Sequence, residues 1–163
     1  MRILHLGDVV GRPGRQLLVE RLPELRRRLA ADVVIVNGEN AAGGFGITAK
    51  LCQELYDAGT DVVTTGNHVW DQRELIAYID GDPRLIRPAN LAAGTPGRGC
   101  TAVETAGGVR VLVVQVLGRI HMKPCDDPFR AVDDVLARYP LGPRLLVVVD
   151  VHAEITAEKQ ALG

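Results

Sequence analysis

Short apolar runs rich in β-branched residues recur along the chain and predict buried strands. Four of these runs are followed directly by polar side chains, and they cover residues 2–6, 32–37, 61–65 and 145–149. Two further runs, 100–105 and 109–116, are joined by Gly107 and Gly108. Two apolar runs connected through a pair of glycines predict an antiparallel hairpin.

Segments with helical periodicity lie between the strands. Leucines recur at helical spacing from Leu17 to Leu29, with Pro23 inside the pattern, so we expect a kink or a break there. Thr48 is placed to cap a helix that runs to about Ala58. Three further helices are expected: one capped by Asp71 and running to about Ile79, one after Pro128, and one over residues 154–162.

The alternation of strands and helices defines the expected fold class. It predicts an α/β fold in which a parallel sheet is covered by helices on both faces, with an antiparallel hairpin added. The chain has 163 residues, of which 47% are apolar and 24% charged. These values are ordinary for a globular protein, and we expect a single domain over residues 1–163.

Charge and hydropathy narrow the possible partners. With 19 basic and 20 acidic residues the net charge is −1, which argues against strong binding to duplex nucleic acid. No apolar run approaches the roughly 20 residues that span a bilayer. The first apolar run is too short for a signal peptide, so we expect a cytoplasmic protein without membrane association. The three widely spaced cysteines are expected to be free thiols.

Side chains able to bind a metal follow four of the predicted strands. They are Asp8 after the first, Glu39 and Asn40 after the second, Asn67 and His68 after the third, and Asp150 and His152 after the late strand. Each of these residues alone could be a turn former or a helix cap. Because the carboxyl ends of parallel strands meet at one edge of a sheet, however, we expect these residues to converge on one place. Carboxylate, amide oxygen and imidazole together suit manganese, iron or zinc.

These residues lie in blocks that resemble a known family. The blocks are Gly7-Asp8, Asn37-Gly38-Glu39-Asn40, Gly66-Asn67-His68 and Val151-His152-Ala153-Glu154, with further blocks at 41–46, 87–90, 94–97 and 127–130. Their order resembles that of the calcineurin-like metallophosphoesterases, in particular the YmdB-like branch of bacterial phosphodiesterases that act on 2′,3′-cyclic nucleotides. The resemblance covers nearly the whole chain. It implies a metallophosphoesterase-like layered sheet with helices on both faces.

The resemblance also implies a cofactor and a role for each of six residues. The cofactor is two divalent transition metals, usually iron, with manganese able to substitute, and the substrate is a small nucleotide phosphodiester. Asp8 and Asn40 would bind the first metal, Asn67 and His152 the second, Glu39 would bridge both, and His68 would be the proton donor. For His68, an imidazole satisfied at a turn is the structural alternative.

Two further residues are candidates for substrate contact. Phe45 lies in the glycine-rich segment 43–46 and could stack on a base, although glycines are also common in ordinary loops. Arg119 follows Gly118 at a strand end and could neutralise a phosphate, with a surface ion pair as the alternative.

The sequence departs from the family pattern at its C-terminal side. The family continues to a Gly-x-His-x-His block that supplies one more histidine to each metal, and no such block is present. We therefore expect a fold that is incomplete on this side, and a homo-oligomer, because exposed sheet edges and apolar surface tend to associate. Two functions remain open. One is phosphodiester hydrolysis by a hydroxide bound to two metals; the alternative is a truncated, inactive or regulatory remnant that binds a metal, a nucleotide or a partner without turnover.

Overall fold

The structure, a computed structural model, describes residues 1–163. It contains seven strands and five helices. In chain order these are β1 (Ile3–Leu6), α1 (Gly11–Leu29), β2 (Val33–Asn37), α2 (Ala49–Asp57), β3 (Val62–Thr64), α3 (Leu75–Tyr78), β4 (Leu85–Ile86), β5 (Cys100–Glu104), β6 (Arg110–Leu117), α4 (Pro128–Leu136), β7 (Leu145–His152) and α5 (Thr156–Leu162). Residues Gly66–His68 and Ile79–Gly81 form single turns of 3₁₀ helix.

The strands form two sheets. The first sheet has the order β1-β2-β3-β4 and is entirely parallel. In the second sheet, β5 runs antiparallel to β6 and confirms the predicted hairpin, while β7 runs parallel to β6. The late strand, β7, therefore belongs to the second sheet. The single parallel sheet predicted from the sequence would have required β7 to join the first one. Both β6 and β7 are eight residues long, and they pair along their whole length. No strand of the first sheet is long enough to pair with β7 over eight residues.

The two sheets pack face to face, and helices cover their outer faces. Apolar side chains of both sheets meet between them: Val33, Ile35, Val62, Ile86, Val111 and Val113. The other face of the first sheet packs, through Val34 and Val36, against a larger cluster that includes Leu22 of α1 and Leu55 of α2. The outer face of the second sheet packs on α4 through Val135. Alternate residues of one strand thus enter different layers, and the predicted α/β class with helices on both faces is confirmed.

Local predictions about the helices were right in part. Thr48 caps α2, and its side chain accepts a hydrogen bond from the Leu51 N–H at 3.2 Å. Of the kink or break predicted at Pro23, the break is wrong, because α1 continues through this residue; the neighbouring Leu22 is fully buried, and packing on the sheet outweighs the one lost hydrogen bond. The predicted cap by Asp71 is also wrong, since α3 begins only at Leu75. No helix has the length and apolar character needed to cross a membrane.

Candidate active site

Four of the predicted site residues come together where β1, β2 and β7 end. Asn40 Nδ2 lies 3.4 Å from Asp8 Oδ2 and 3.3 Å from Glu39 Oε1. His152 Nδ1 lies 2.8 Å from Glu39 Oε2. Because β7 belongs to the second sheet, this cluster joins the ends of both sheets.

Glu39 is the buried centre of the cluster. Its side chain is almost fully shielded from solvent, with 1% of the residue exposed. His152 is close enough to form an ion pair, yet Glu39 Oε2 accepts no hydrogen bond of acceptable geometry, so the contact is a charge pair rather than an aligned hydrogen bond. A buried carboxylate with so few partners is costly unless a cation or a donor compensates it. Oε2 is therefore the oxygen on which a cation would be expected.

The third strand contributes through its backbone. Gly66 has a φ of 64°, a left-handed conformation that glycine adopts readily. A Cβ at this position would overlap Glu39 Oε2 and lie 2.5 Å from Glu39 Cδ, so the turn rests directly on the carboxylate. The next residue, Asn67, has a buried Oδ1 without a hydrogen-bond partner. The two buried oxygens of the site that accept no hydrogen bond are thus Glu39 Oε2, which makes only the charge pair with His152, and Asn67 Oδ1.

The surroundings of His152 shift its pKa. Its pKa is raised above the ordinary histidine value, chiefly because the Glu39 carboxylate lies within hydrogen-bonding distance of its ring nitrogen, while burial acts in the opposite direction. The shift favours the protonated imidazole. A metal ion binding at this nitrogen would compete with a proton for it.

His68 lies beside this cluster in a different setting. Its Nδ1 is 2.7 Å from Asp71 Oδ2, which leaves Nε2 free for another partner. The Phe45 ring meets the His68 ring edge to face, with 5.3 Å between centroids and 72° between planes. Phe45 is 59% exposed, and its carbonyl accepts a hydrogen bond from Gln72 Nε2 at 2.8 Å. The loop thus presents an aromatic face beside His68.

Arg119 is exposed at the end of β6. Its backbone N–H donates to Glu158 Oε1 at 2.7 Å, which ties the loop to α5. Its guanidinium forms no ion pair within the chain, so the alternative role in a surface ion pair is not seen. The backbone of Gly118 donates to the His152 carbonyl at 2.8 Å, which places Arg119 at the same end of the second sheet as His152.

Two residues of the site were not predicted from the sequence. Asp71, assigned to a helix cap, contacts His68 instead, and the spacing of three residues in a turn was the available signal. Gln115 is fully buried in β6, and the signal was a lone amide in an otherwise apolar strand. Asp150, which the sequence offered as a further metal-binding side chain at the end of the late strand, accepts a hydrogen bond from this amide at 3.0 Å.

The donor chemistry of the cluster fits divalent transition metals. Across the chain, no three His, Cys, Asp or Glu side chains are grouped closely enough to hold a metal ion. A metal would therefore depend on the amide oxygens of Asn40 and Asn67 as well as on Glu39 and His152. Asn40 turns its Nδ2 towards Asp8, so its amide group would have to rotate to offer the oxygen.

A layered α/β fold with carboxylate, amide and imidazole groups at its strand ends is the arrangement that the resemblance to the metallophosphoesterases predicts. Residues 4–163 match the family model described as YmdB-like protein, and the chain belongs to that family. The predicted family is thus confirmed.

Named relatives and solved structures agree with this assignment. The chain is 45% identical over 163 residues to the 2′,3′-cyclic-nucleotide 2′-phosphodiesterase of Bacillus subtilis (strain 168), covering 100% of this chain and 61% of the relative. A crystal structure of a hypothetical protein from Thermus thermophilus matches with a TM-score of 0.90 and 46% identity, covering 99% of this chain and 62% of the other. A phosphatase from Mycoplasma pneumoniae matches with a TM-score of 0.87 and 32% identity, covering 98% of this chain and 58% of the other. The chain spans about three-fifths of the length of these proteins.

Proposed function

We propose that the chain forms the active site of a metal-dependent phosphodiesterase that hydrolyses 2′,3′-cyclic nucleotides. The observation that carries this proposal is the buried Glu39 carboxylate, whose Oε2 has no hydrogen bond and lies against His152 and the backbone of Gly66. The substrate class comes from the name of the Bacillus subtilis relative.

The proposed cofactor is two divalent transition metals, iron or manganese. Asp8 and Asn40 would hold the first, Asn67 and His152 the second, and Glu39 would bridge both. When bound, such metals supply a strong nucleophile from water and offset the charge on the phosphoryl oxygens. The two buried oxygens that accept no hydrogen bond, Glu39 Oε2 and Asn67 Oδ1, support this arrangement.

His68 is the proposed proton donor. Hydrolysis adds water at phosphorus and breaks the bond to one ribose oxygen, which leaves as an alcohol once it is protonated. Asp71 holds Nδ1 of His68, so Nε2 is the nitrogen that would deliver this proton.

The proposed substrate contacts of Phe45 and Arg119 follow from the positions of these two residues. The exposed Phe45 ring would stack on the base, and the unpaired Arg119 guanidinium would attract the phosphate.

The proton-donor role is tested by comparing two histidine variants of the manganese-loaded chain on 2′,3′-cyclic AMP. His68→Ala should lower turnover by about 10²–10⁴-fold, because a positioned general acid contributes that much. Manganese content per chain, measured by elemental mass spectrometry, should stay at the wild-type value. The control is His121→Asn, which changes an exposed loop histidine at a positive φ that asparagine tolerates. Full turnover in His68→Ala at full metal content would eliminate this role.

A second candidate is a chain that binds a metal, a nucleotide or a partner without turnover. The absence of a group of three acidic, cysteine or histidine side chains around one point favours it. Metal content separates the two candidates. Two metals per chain together with turnover support the enzyme, whereas one or none without turnover supports the binding protein. A homo-oligomer is proposed for either case.

A further inference from the structure

Gln115 is an amide side chain inside an apolar sheet interface. It lies on the face of β6 that also carries Val111 and Val113, and it is fully buried between the two sheets. An amide in such a place destabilises the fold unless its donors and acceptors are satisfied. The hydrogen-bond partners of Gln115 therefore explain why its side chain can be buried between the two sheets.

The contacts of Gln115 fix the orientation of its amide. Oε1 accepts hydrogen bonds from the backbone N–H groups of Thr65 at 3.1 Å and Gly66 at 3.0 Å. Nε2 donates to Asp150 Oδ2 at 3.0 Å. Backbone N–H groups require an acceptor and a carboxylate requires a donor, so only this orientation satisfies all three partners. One side chain thus links the end of β3 to β6 and β7.

These contacts act on the candidate site through Gly66. Gly66 lies directly on the Glu39 carboxylate, with no space for a Cβ between them. Any shift of the Gly66 backbone therefore moves the surface on which Glu39 rests, and it carries Asn67 and His68 with it. Gln115 itself touches none of the proposed metal ligands.

We infer that Gln115 is a positioning residue. It holds the Gly66 turn (residues 65–68) against Glu39 and so sets the geometry in which Glu39 and Asn67 bind a cation. This inference rests on the proposed function and assigns to it a residue from the second sheet. Residues of this kind, which orient ligands without binding the metal, typically change metal affinity by about 10–100-fold when replaced.

A charge exchange between Gln115 and Asp150 tests the inference. Gln115→Glu keeps an acceptor for the Gly66 turn but places a second carboxylate against Asp150, and the repulsion should displace the turn. Asp150→Asn alone should have a small effect, since its amide oxygen can still accept from Gln115. The double variant restores one amide and one carboxylate in exchanged positions, so all three hydrogen bonds can form again.

Two measurements report the result. The first is the Kd for Mn²⁺ of the folded chain, followed by electron paramagnetic resonance. We expect Gln115→Glu to weaken it by about 10-fold or more and the double variant to return close to wild type. The second is amide hydrogen exchange at Thr65 and Gly66, which should accelerate in Gln115→Glu and slow again in the double variant. Val113→Ala is the matched control, because Val113 is buried on the same face of β6 and its apolar side chain cannot form a hydrogen bond to the turn.

Each outcome decides the inference. If Gln115→Glu and Val113→Ala change Mn²⁺ affinity equally, or if the double variant does not recover, Gln115 serves only the general stability of the sheets. If the wild-type chain binds no Mn²⁺, the proposed function fails. Amide hydrogen exchange at Gly66 is then the measurement that shows whether Gln115 holds the turn. Unchanged exchange in Gln115→Glu would overturn the inference in that case.

Discussion

The backbone of Gly66 rests on the Glu39 carboxylate, and this contact makes Gly66→Ala the most informative single substitution. The new Cβ would overlap Glu39 Oε2 and lie 2.5 Å from Glu39 Cδ. Glu39 is 1% exposed and has little room to move. The φ of 64° at Gly66 adds a backbone penalty for any residue with a Cβ.

The magnitude follows from these two contributions. A left-handed conformation costs a non-glycine residue about 1–2 kcal/mol. Inserting a methyl group into a close-packed buried site costs about 1–3 kcal/mol more. We therefore expect Gly66→Ala to lower the free energy of unfolding by about 2–5 kcal/mol, a large part of the ~5–15 kcal/mol typical of a domain.

Gly43 provides a matched control for the backbone penalty. Its φ is 69°, close to that of Gly66, but no atom lies within 4 Å of the Cβ position. Gly43→Ala should therefore lose only the backbone contribution of about 1–2 kcal/mol. Urea unfolding followed by circular dichroism gives both values, and their difference measures the overlap with Glu39.

A comparison of the single and double variants tests whether Glu39 is the group that the new Cβ at position 66 displaces. Adding Glu39→Ala to Gly66→Ala removes the atoms that overlap the new Cβ, so the two substitutions together should cost less than the sum of their separate effects. Equal losses in Gly66→Ala and Gly43→Ala, or strictly additive losses in the double variant, would refute the close contact between the turn and the carboxylate.

Three further predictions concern the proton donor, a helix cap and association. Asp71→Asn should reduce turnover by about 10-fold or more with metal content unchanged, because a neutral amide makes a weaker hydrogen bond to Nδ1 than a carboxylate and holds the His68 ring less firmly; full turnover would contradict the orienting role. Thr48→Ala should lower the free energy of unfolding by about 0.5–2 kcal/mol in urea titration, whereas Thr48→Ser should retain most of it, since both hydroxyls can accept from the Leu51 N–H. Light scattering should give a mass above the 17.6 kDa of one chain, because β1 and β7 are open edge strands; a well-behaved monomer would exclude this association.

The sequence determined those features that depend on neighbours along the chain. Apolar runs rich in β-branched residues indicated the strands, Gly107 and Gly108 indicated the hairpin, and Thr48 indicated the start of α2. The polar residues that follow β1, β2 and β3 were visible as Asp8, Glu39 and Asn67, and the order of their motifs identified the family. Each of these signals lies within a few residues, so local backbone preferences and periodicity are sufficient to produce it.

Only the tertiary structure decided which groups meet across the chain. The sequence offered Asp150 only as a side chain able to bind a metal, and the structure shows that it accepts a hydrogen bond from Gln115 of the neighbouring strand. Asp71 contacts His68 instead of capping a helix, and α1 continues through Pro23. At Pro23 long-range packing outweighs a local preference, because burying the apolar face of α1 contributes more free energy than the single hydrogen bond that is lost, whereas the contacts of Asp150 and Asp71 depend on which side chains the fold brings within reach.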